Sequence, residues 1–409
     1  MTRLLFWASV AALVYSYVAF PIIVLVRGAL RPRPHRTGDE TPRVSVLVAA
    51  HNEAPTIGRK LQTVLDADYP AGQLEVVVAS DGSTDGTEQV AAAYAERGVR
   101  VLALPRVGKA AALHAAVEAS SGEILVFTDA NSLFAPNAIR TIVAPFADAE
   151  VGGVAGNQVY GTAHAGQSTA GGERTYWNLD RTLKLAESRS GNVIAATGAL
   201  YALRRRHFRS LPGGVTDDFF LSLAVIDDGA RLVFEPDAVA YEEVATSNAT
   251  EYRRRVRIMT RGLRCITHFP QLLDARRHGF YAVELFSHKV LMRVMALPLA
   301  IIALTTVALW RSGPIYLLAA AGQAVSYALA AAGLVLRDQP LGRSKLLTLP
   351  AYFLLVQVAS LHAMWNLLRG NRYERWSPTR ADEVAAQVVA QPEDPAALGA
   401  AADDDQGSP

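Results

Sequence analysis

The stretch VVVASDGSTDGT, Val76–Thr87, runs a series of β-branched residues straight into a cluster of Asp, Gly, Ser and Thr. That junction reads as a buried strand closing on a polar turn. A phosphate-cradling loop presents backbone N–H groups and a lysine. This turn presents two carboxylates instead, Asp81 and Asp85, which repel bare phosphate and suit a ribose, a base edge or a metal.

Similar runs lie on either side. VSVLVAA (Val44–Ala50), LEVVVAS (Leu74–Ser80), VRVLAL (Val99–Leu104) and EILVFTDA (Glu123–Ala130) are continuous enough for strands covered on both faces of a parallel sheet. Helical patterns separate them: Ile57, Leu61, Val64 and Leu65 share one face, a second pattern follows Thr87, and GKAAALHAAVEAS is a third. Strand and helix alternate throughout, which predicts a doubly wound α/β sheet with its ligands beyond the carboxyl ends of the strands. The polar clusters His51-Asn52-Glu53, Ser80-Asp81-Gly82 and Thr128-Asp129-Ala130-Asn131 fall at those ends. No G-x-G-x-x-G follows the first strand and no Walker sequence occurs, which argues against a dinucleotide oxidoreductase and a P-loop ATPase.

The chain of 409 residues is 51% hydrophobic, and its apolar residues are clustered. Leu4–Val26 carries no charge and exceeds the about 20 apolar residues that cross a bilayer. A cleaved signal peptide has a core of only about 7–15 residues and a small-residue cleavage site. Here RGALRPRPHR follows, and Arg27, Arg31, Arg33 and Arg36 outweigh the lone Arg3, so the positive-inside rule places the next domain in the cytoplasm. Three more apolar segments lie near Val294–Trp310, Pro314–Leu336 and Leu346–Leu368. The expected plan is a membrane anchor and basic flank over 1–36, a cytosolic domain over 37–250, interfacial amphipathic helices over 251–292, a membrane bundle over 293–370 and a disordered acidic tail over 371–409. Three late spans would leave the C-terminus outside, which conflicts with Arg369, Arg372, Arg375 and Arg380 after the last of them. The net charge of +2 says nothing about partners, and the single cysteine, Cys265, excludes an intrachain disulfide framework and a Cys-based zinc site.

Several residues carry chemistry. Asp129 ends the very apolar run ILVFT, where a carboxylate is costly unless it meets a cation or strong donors. In an extended segment Asn131 points the same way, and a carboxylate with an amide oxygen, completed by substrate phosphates, suits Mg²⁺ or Mn²⁺. Lys109 follows Gly108 at a helix start, where ammonium and N–H groups favour an anion; the plain alternative is a solvated lysine. In GGVTDDFFLSLAV, Thr216, Asp217 and Asp218 open an amphipathic helix. Thr216 there reads as an N-cap, and one of the two acids can also serve as a general base. EYRRRVRIMTRGLRCI crowds Arg253, Arg254, Arg255, Arg257, Arg261 and Arg264 among Val256, Ile258, Met259 and Leu263. It reads either as a basic helix lying on an anionic membrane or as a helix whose inner arginine grips a nucleotide diphosphate. No recognition module for nucleic acid accompanies it.

Taken in order, these motifs resemble the membrane-integrated glycosyltransferases of family 2, the group of the hyaluronan, chitin, cellulose and poly-N-acetylglucosamine synthases. The resemblance runs from about Arg43 to Gly262 and implies a nucleotide-sugar-binding, Rossmann-like domain of the GT-A type with a mostly parallel sheet, plus transmembrane helices. It implies that Asn52, Glu53 and Asp81 hold the uridine nucleotide. Gly108 and Lys109 match the family's glycine–lysine pair, Thr128-Asp129-Ala130-Asn131 its metal motif, and Thr216-Asp217-Asp218 its Thr-Glu-Asp motif, whose last aspartate is the catalytic base. TGALYALRR, from Thr197 through Gly198 to Arg205, resembles the loop that contacts the acceptor, to which Thr216, Asp217 and Arg254 are also assigned. Asn131 stands where many relatives have a second metal aspartate. The family's Gln-x-x-Arg-Trp is met only by Arg254-Arg255-Val256-Arg257-Ile258, and an aliphatic Ile258 lacks the stacking surface of that tryptophan, which shifts weight from processive synthesis to a lipid or short-glycan acceptor.

The expected activity is inverting transfer from a UDP-sugar to a glycan or lipid acceptor at the cytoplasmic membrane face. Asp218 acts as base, Mg²⁺ or Mn²⁺ sits on Asp129 and Asn131, and Lys109 and Arg257 assist the leaving diphosphate. The competing readings are a polyprenyl-phosphate glycosyltransferase, in which Asp218 is only a helix cap, and a catalytically inactive scaffold or export subunit.

Overall fold

In the computed structural model, residues 1–160, 171–242, 248–336 and 339–371 are described. The acidic tail and Arg372, Arg375 and Arg380 lie outside them. Every residue of β1 (Val44–Ala50) is buried, as a strand covered on both faces requires. β1 pairs in parallel with β2 (Leu74–Asp81) on one side and β4 (Ile124–Asp129) on the other, and β3 (Val99–Leu104) adds in parallel beyond β2. The register sets Ala50 opposite Ser80 and Ala49 opposite Asp129, so Asp81 and Asp129 leave the sheet at one edge, flanking β1.

Alternate residues of β1 enter two different cores. Leu47 and Ala49 pack with Val77, Leu113, Phe127 and Phe219 under the helices Lys109–Glu118 and Asp217–Asp227. Val46 and Val48 pack with Val78, Ile57, Leu61 and Ile139 under Ala54–Leu65 and Ala138–Val143.

The sheet then departs from the doubly wound pattern. With β5 (Leu133–Phe134), β6 (Val151–Tyr160), β7 (Tyr201–Arg204) and β8 (Arg231–Glu242), eight strands run in the order β3-β2-β1-β4-β7-β6-β8-β5. β7 is antiparallel to both β4 and β6, whereas β6 and β8 are parallel. β8 thereby delivers its last residue, Glu242, toward the edge that carries Asp129.

Thr2–Leu30, Pro314–Val335 and Lys345–Leu368 are long and apolar enough to cross a membrane, and Phe280–Val294 with Ala296–Leu309 forms a fourth candidate bent by 49°. Phe6 of the first helix packs with Ile302, Leu309 and Tyr316. Farther along, a Cβ at Gly28 would stand 2.7 Å from the Ala186 Cα, so only glycine lets this helix approach Gly171–Ser190 so closely. The arginine-rich segment forms the helix Asn248–His268, and its Val256 and Met259 are buried against Ala359 and Ala363 of the last apolar helix. Those two residues are covered by protein, while Ile258 of the same helix is exposed.

Candidate active site

The two carboxylates of the acidic turn have separate tasks. Asp85 serves the backbone: one oxygen accepts from Ala54 N at 3.0 Å, the other from Thr87 N at 3.0 Å and Thr87 Oγ1 at 2.5 Å. It thus ties together the starts of two helices, and although burial opposes ionisation, these donors hold its carboxyl below the usual value. Asp81 is fully buried. Its Oδ1 accepts from Val107 N at 2.6 Å and Gly108 N at 2.8 Å, while among the described residues Oδ2 has no partner. Asp81 is therefore the member of the pair with an acceptor left over for a ligand. Asn52 sits beside it at φ +54°, a left-handed conformation stabilised by Thr84 N donating to its Oδ1 at 2.9 Å. Glu53 is buried and accepts from Thr56 Oγ1 at 2.6 Å through Oε2.

Because Asp81 grips the residues just before Lys109, it fixes the start of the next helix. The Lys109 Nζ lies 2.7 Å from Asp129 Oδ1 and 3.0 Å from Asp217 Oδ1. Burial works against its charge, but the two carboxylates outweigh burial and raise its pKa. Asp217 also accepts from Tyr201 OH at 3.0 Å, and Lys109 holds it ionised against the cost of burial. Asp218 gains no such partner: its Oδ1 accepts from Phe219 N at 2.7 Å, and burial followed by the charge of Asp217 pushes it up to about 6. Thr216 occupies the N-cap position with extended backbone, yet its side chain makes no cap bond and meets the Cys265 thiol at 3.7 Å. The expected side-chain cap is not formed.

Around Asp129 the strand ends in a turn, with Ser132 N donating to Asp129 O at 3.2 Å. Asn131 is therefore not in an extended segment, and its Nδ2 reaches Glu242 Oε1 at 3.5 Å. Glu242 accepts from Gln158 as well, and burial followed by the charge of Asp129 raises its pKa. Two carboxylates that repel each other beside an amide oxygen are a donor set a divalent cation would relieve. Among the described residues no cluster of three or more His, Cys, Asp or Glu is placed for a metal, so donors from a bound phosphate would have to complete the shell. Gly198 is needed here: a Cβ on it would lie 3.0 Å from Asp129 Oδ2. Beneath the turn, fully buried Lys60 donates to Thr128 Oγ1 at 2.8 Å and Ser132 O at 2.5 Å, over the Phe134 ring.

Arg254, Arg257, Arg261 and Cys265 follow i, i+3, i+7 and i+11 along one face of the Asn248–His268 helix. Cys265 touches Thr216, so this face looks onto the start of the Asp217–Asp227 helix. Arg254 interacts with Glu242 and Arg261 with Asp217. Between them, burial and then the charges of Arg261 and Arg254 lower the pKa of Arg257. Such a stripe suits a polyanion.

Asp81, Lys109, Asp129, Asp217 and Asp218 thus meet in one connected network, and the arginine stripe borders it. Glu242, Tyr201, Lys60 and Arg261 belong to it too and went unassigned in the sequence. Glu242 ends a strand that already holds Glu235, Pro236 and Asp237 and did not stand out, whereas Lys60 is a charge on the face of Ile57 and Leu61 and so carried a visible signal. Tyr201 carried none.

The chain matches glycosyl transferase family 2 over residues 45–211. It is 29% identical over 238 residues to an N-acetylglucosaminyltransferase of Mesorhizobium japonicum, covering 54% of this chain and 56% of that protein. It is also 29% identical over 224 residues to a beta-monoglucosyldiacylglycerol synthase of Nostoc, covering 52% and 47%. The chain spans about half the length of the curated relatives it matches. The solved structure of the mannosyltransferase PcManGT from Pyrobaculum calidifontis, in complex with GDP-Man and Mn²⁺, is 26% identical, covers 90% of this chain and 100% of that one, and superposes with a TM-score of 0.68.

Proposed function

We propose that this chain is an inverting glycosyltransferase that moves a hexosyl or N-acetylhexosaminyl group from a UDP-sugar to a hydroxyl of a glycan or lipid at the cytoplasmic face of a membrane, as a membrane-integrated member of its family. The observation that carries this reading is Lys109 joining Asp129 to Asp217, with the unpaired, proton-seeking Asp218 alongside. Asp218 takes the acceptor's hydroxyl proton, the freed oxygen bonds to the anomeric carbon, and the bond from that carbon to the diphosphate breaks on the opposite face. Asp81 Oδ2 and Asn52 serve the nucleoside, and the arginine stripe serves the diphosphate. Asp129, Glu242 and Asn131 would hold Mg²⁺ or Mn²⁺, which supplies neutralisation of the leaving group's charge. The PcManGT complex with Mn²⁺ supports a divalent ion, and the N-acetylglucosaminyltransferase relatives support an N-acetylhexosamine.

The test is transfer by purified membranes from a panel of radiolabelled UDP-sugars, with GDP-mannose as a competitor class, in wild type and Asp218→Asn. Product from one UDP-sugar that disappears in the variant is expected. Undiminished transfer by the variant overturns the base assignment, and transfer from GDP-mannose alone overturns the donor.

A further inference from the structure

A cavity of about 490 Å³ opens at the other end of the sheet from the catalytic acids: it is lined by Arg231, where β8 begins, whereas Glu242 is where β8 ends. Arg33, Arg206, His207, Arg231 and His278 line it, against the carboxylates of Glu150 and Asp228.

Both carboxylates are already committed. Glu150 pairs with Arg33 at 2.9 Å, and Asp228 pairs with His207 at 2.8 Å and with Arg209. Arg206 Nε donates to His207 Nε2 at 3.2 Å, which leaves the proton on Nδ1 of that ring to be donated to Asp228. Among the described residues that is the one side-chain bond Arg206 makes, and its two terminal nitrogens have no protein acceptor. Arg231 is 4% exposed. Among the described residues its donors meet only main-chain carbonyls, Arg33 O at 2.8 Å and those of Pro34, Ser188 and Gly191 at 3.4 Å, and its Nε has no partner. A buried guanidinium that hydrogen-bonds no carboxylate is costly. The charges of Glu150 and Asp148 work against the burial and the charge of Arg33 that lower its pKa, and an anion in the adjoining cavity would offset them further.

We propose that this cavity is a binding site for a phosphate-bearing anion, separate from the donor site. Arg206 offers the planar fork that fits phosphate, and Arg231 adds positive field from behind. The phosphate can belong to a soluble ester or to a lipid headgroup. For the lipid, the placement rests on the membrane reading given above. Arg33 follows the first apolar helix and His278 precedes the bent pair that starts at Phe280, while Arg27, in the last turn of the first helix, stacks over the Phe280 ring at 4.4 Å and brings that helix end level with that helix start. The cavity then stands at headgroup height on the side of the catalytic domain. It also touches Ile226 and Asp228, at the far end of the helix whose first turn carries Asp217 and Asp218.

The test is calorimetric titration of the full chain in neutral detergent with inorganic phosphate, with dihexanoyl phosphatidic acid and with dihexanoyl phosphatidylcholine, all in excess UDP so that the donor site is filled. Arg206→Glu is the cavity variant, and Arg276→Glu, an exposed position outside the lining, carries the same charge change. Affinity for an anionic probe is expected to fall about tenfold or more in Arg206→Glu and to stay unchanged in Arg276→Glu. Loss for both phosphate and phosphatidic acid identifies the phosphate group itself as the determinant, and loss for phosphatidic acid alone identifies a lipid headgroup. Equal binding by wild type and Arg206→Glu, equal weakening by Arg276→Glu, or no binding of either anion overturns the proposal. Because these readouts do not involve sugar transfer, their failure leaves the glycosyltransferase reading standing, and the reverse holds too.

Discussion

Lys109 stands between Asp129 and Asp217, 2.7 Å from one carboxylate and 3.0 Å from the other, and so joins the end of β4 to the start of the Asp217–Asp227 helix. The three side chains are 17%, 30% and 13% exposed, so solvent screens them only in part. Lys109→Met leaves two carboxylates facing each other with no cation between them. Stability is expected to fall by about 2–4 kcal/mol, read as the unfolding midpoint in detergent. Transfer is lost at the same time, and a midpoint equal to wild type would show that the lysine does not hold these elements together.

Asp218 links burial to pH dependence. Its carboxyl is raised to about 6 by burial and by Asp217, and a general base works only when ionised. The rate under saturating substrate is therefore expected to be flat above pH 7 and to fall through about pH 6, approaching tenfold per unit below it. Asp218→Asn lowers the rate by about 10²–10⁴ and removes this acid limb. For stability, the folded pKa lies above the about 3.9 of an unfolded aspartate, so the folded state binds the proton more tightly. Stability is therefore lost as pH rises from about 3.9 to about 6 and the loss is complete above that, so Asp218→Asn is expected to melt at or above the wild-type temperature at pH 7.5. A lower melting temperature would mean that its carboxylate serves the fold.

The arginine stripe gives a prediction about the donor. Arg261 faces Asp217, while Cys265 one turn on touches Thr216, so under the proposed reaction this arginine would stand beside the leaving diphosphate. Arg261→Ala is expected to weaken UDP binding about ten- to a hundredfold, with Arg261→Lys recovering part of it. Equilibrium titration with UDP checks this, and unchanged affinity would assign the residue to Asp217 alone.

The parallel half of the sheet was legible because β1, β2 and β4 are largely buried and read as apolar runs, and the half-exposed edge strand β3 still alternates apolar residues. β1 and β3 fall on the expected residues, and β2 and β4 differ by a residue at their ends. The other half was not legible. β7 has only four residues and β5 two, and β8 carries Pro236 and Asp237 where it passes β6 through an irregular register. The site divides in the same way. Asp81 and Asp129 stand out as acids closing apolar runs. Tyr201 is an ordinary strand residue whose hydroxyl meets Asp217 only because β7 runs antiparallel to β4. Asp85 looked equivalent to Asp81 in sequence, and only the backbone amides it caps set the two apart.

Gly198 puts the metal-side arrangement to a steric test. A Cβ there would approach the Asp129 Oδ2 to 3.0 Å, tighter than ordinary contact, and its backbone is not in the left-handed region, so alanine meets no conformational penalty of its own. The carboxylate must give by a few tenths of an ångström, which disturbs its placement beside Glu242 and Lys109. Gly198→Ala is expected to lose no more than about 1 kcal/mol of stability, because one methyl displaces one partly exposed side chain. The concentration of Mn²⁺ needed for half-maximal transfer should rise about tenfold, since a shifted carboxylate loses much of a charge-assisted contact. If the Mn²⁺ requirement stays the same while acceptor KM rises, Asp129 is not the residue that Gly198 protects, and the loop after Thr197 acts on the acceptor instead.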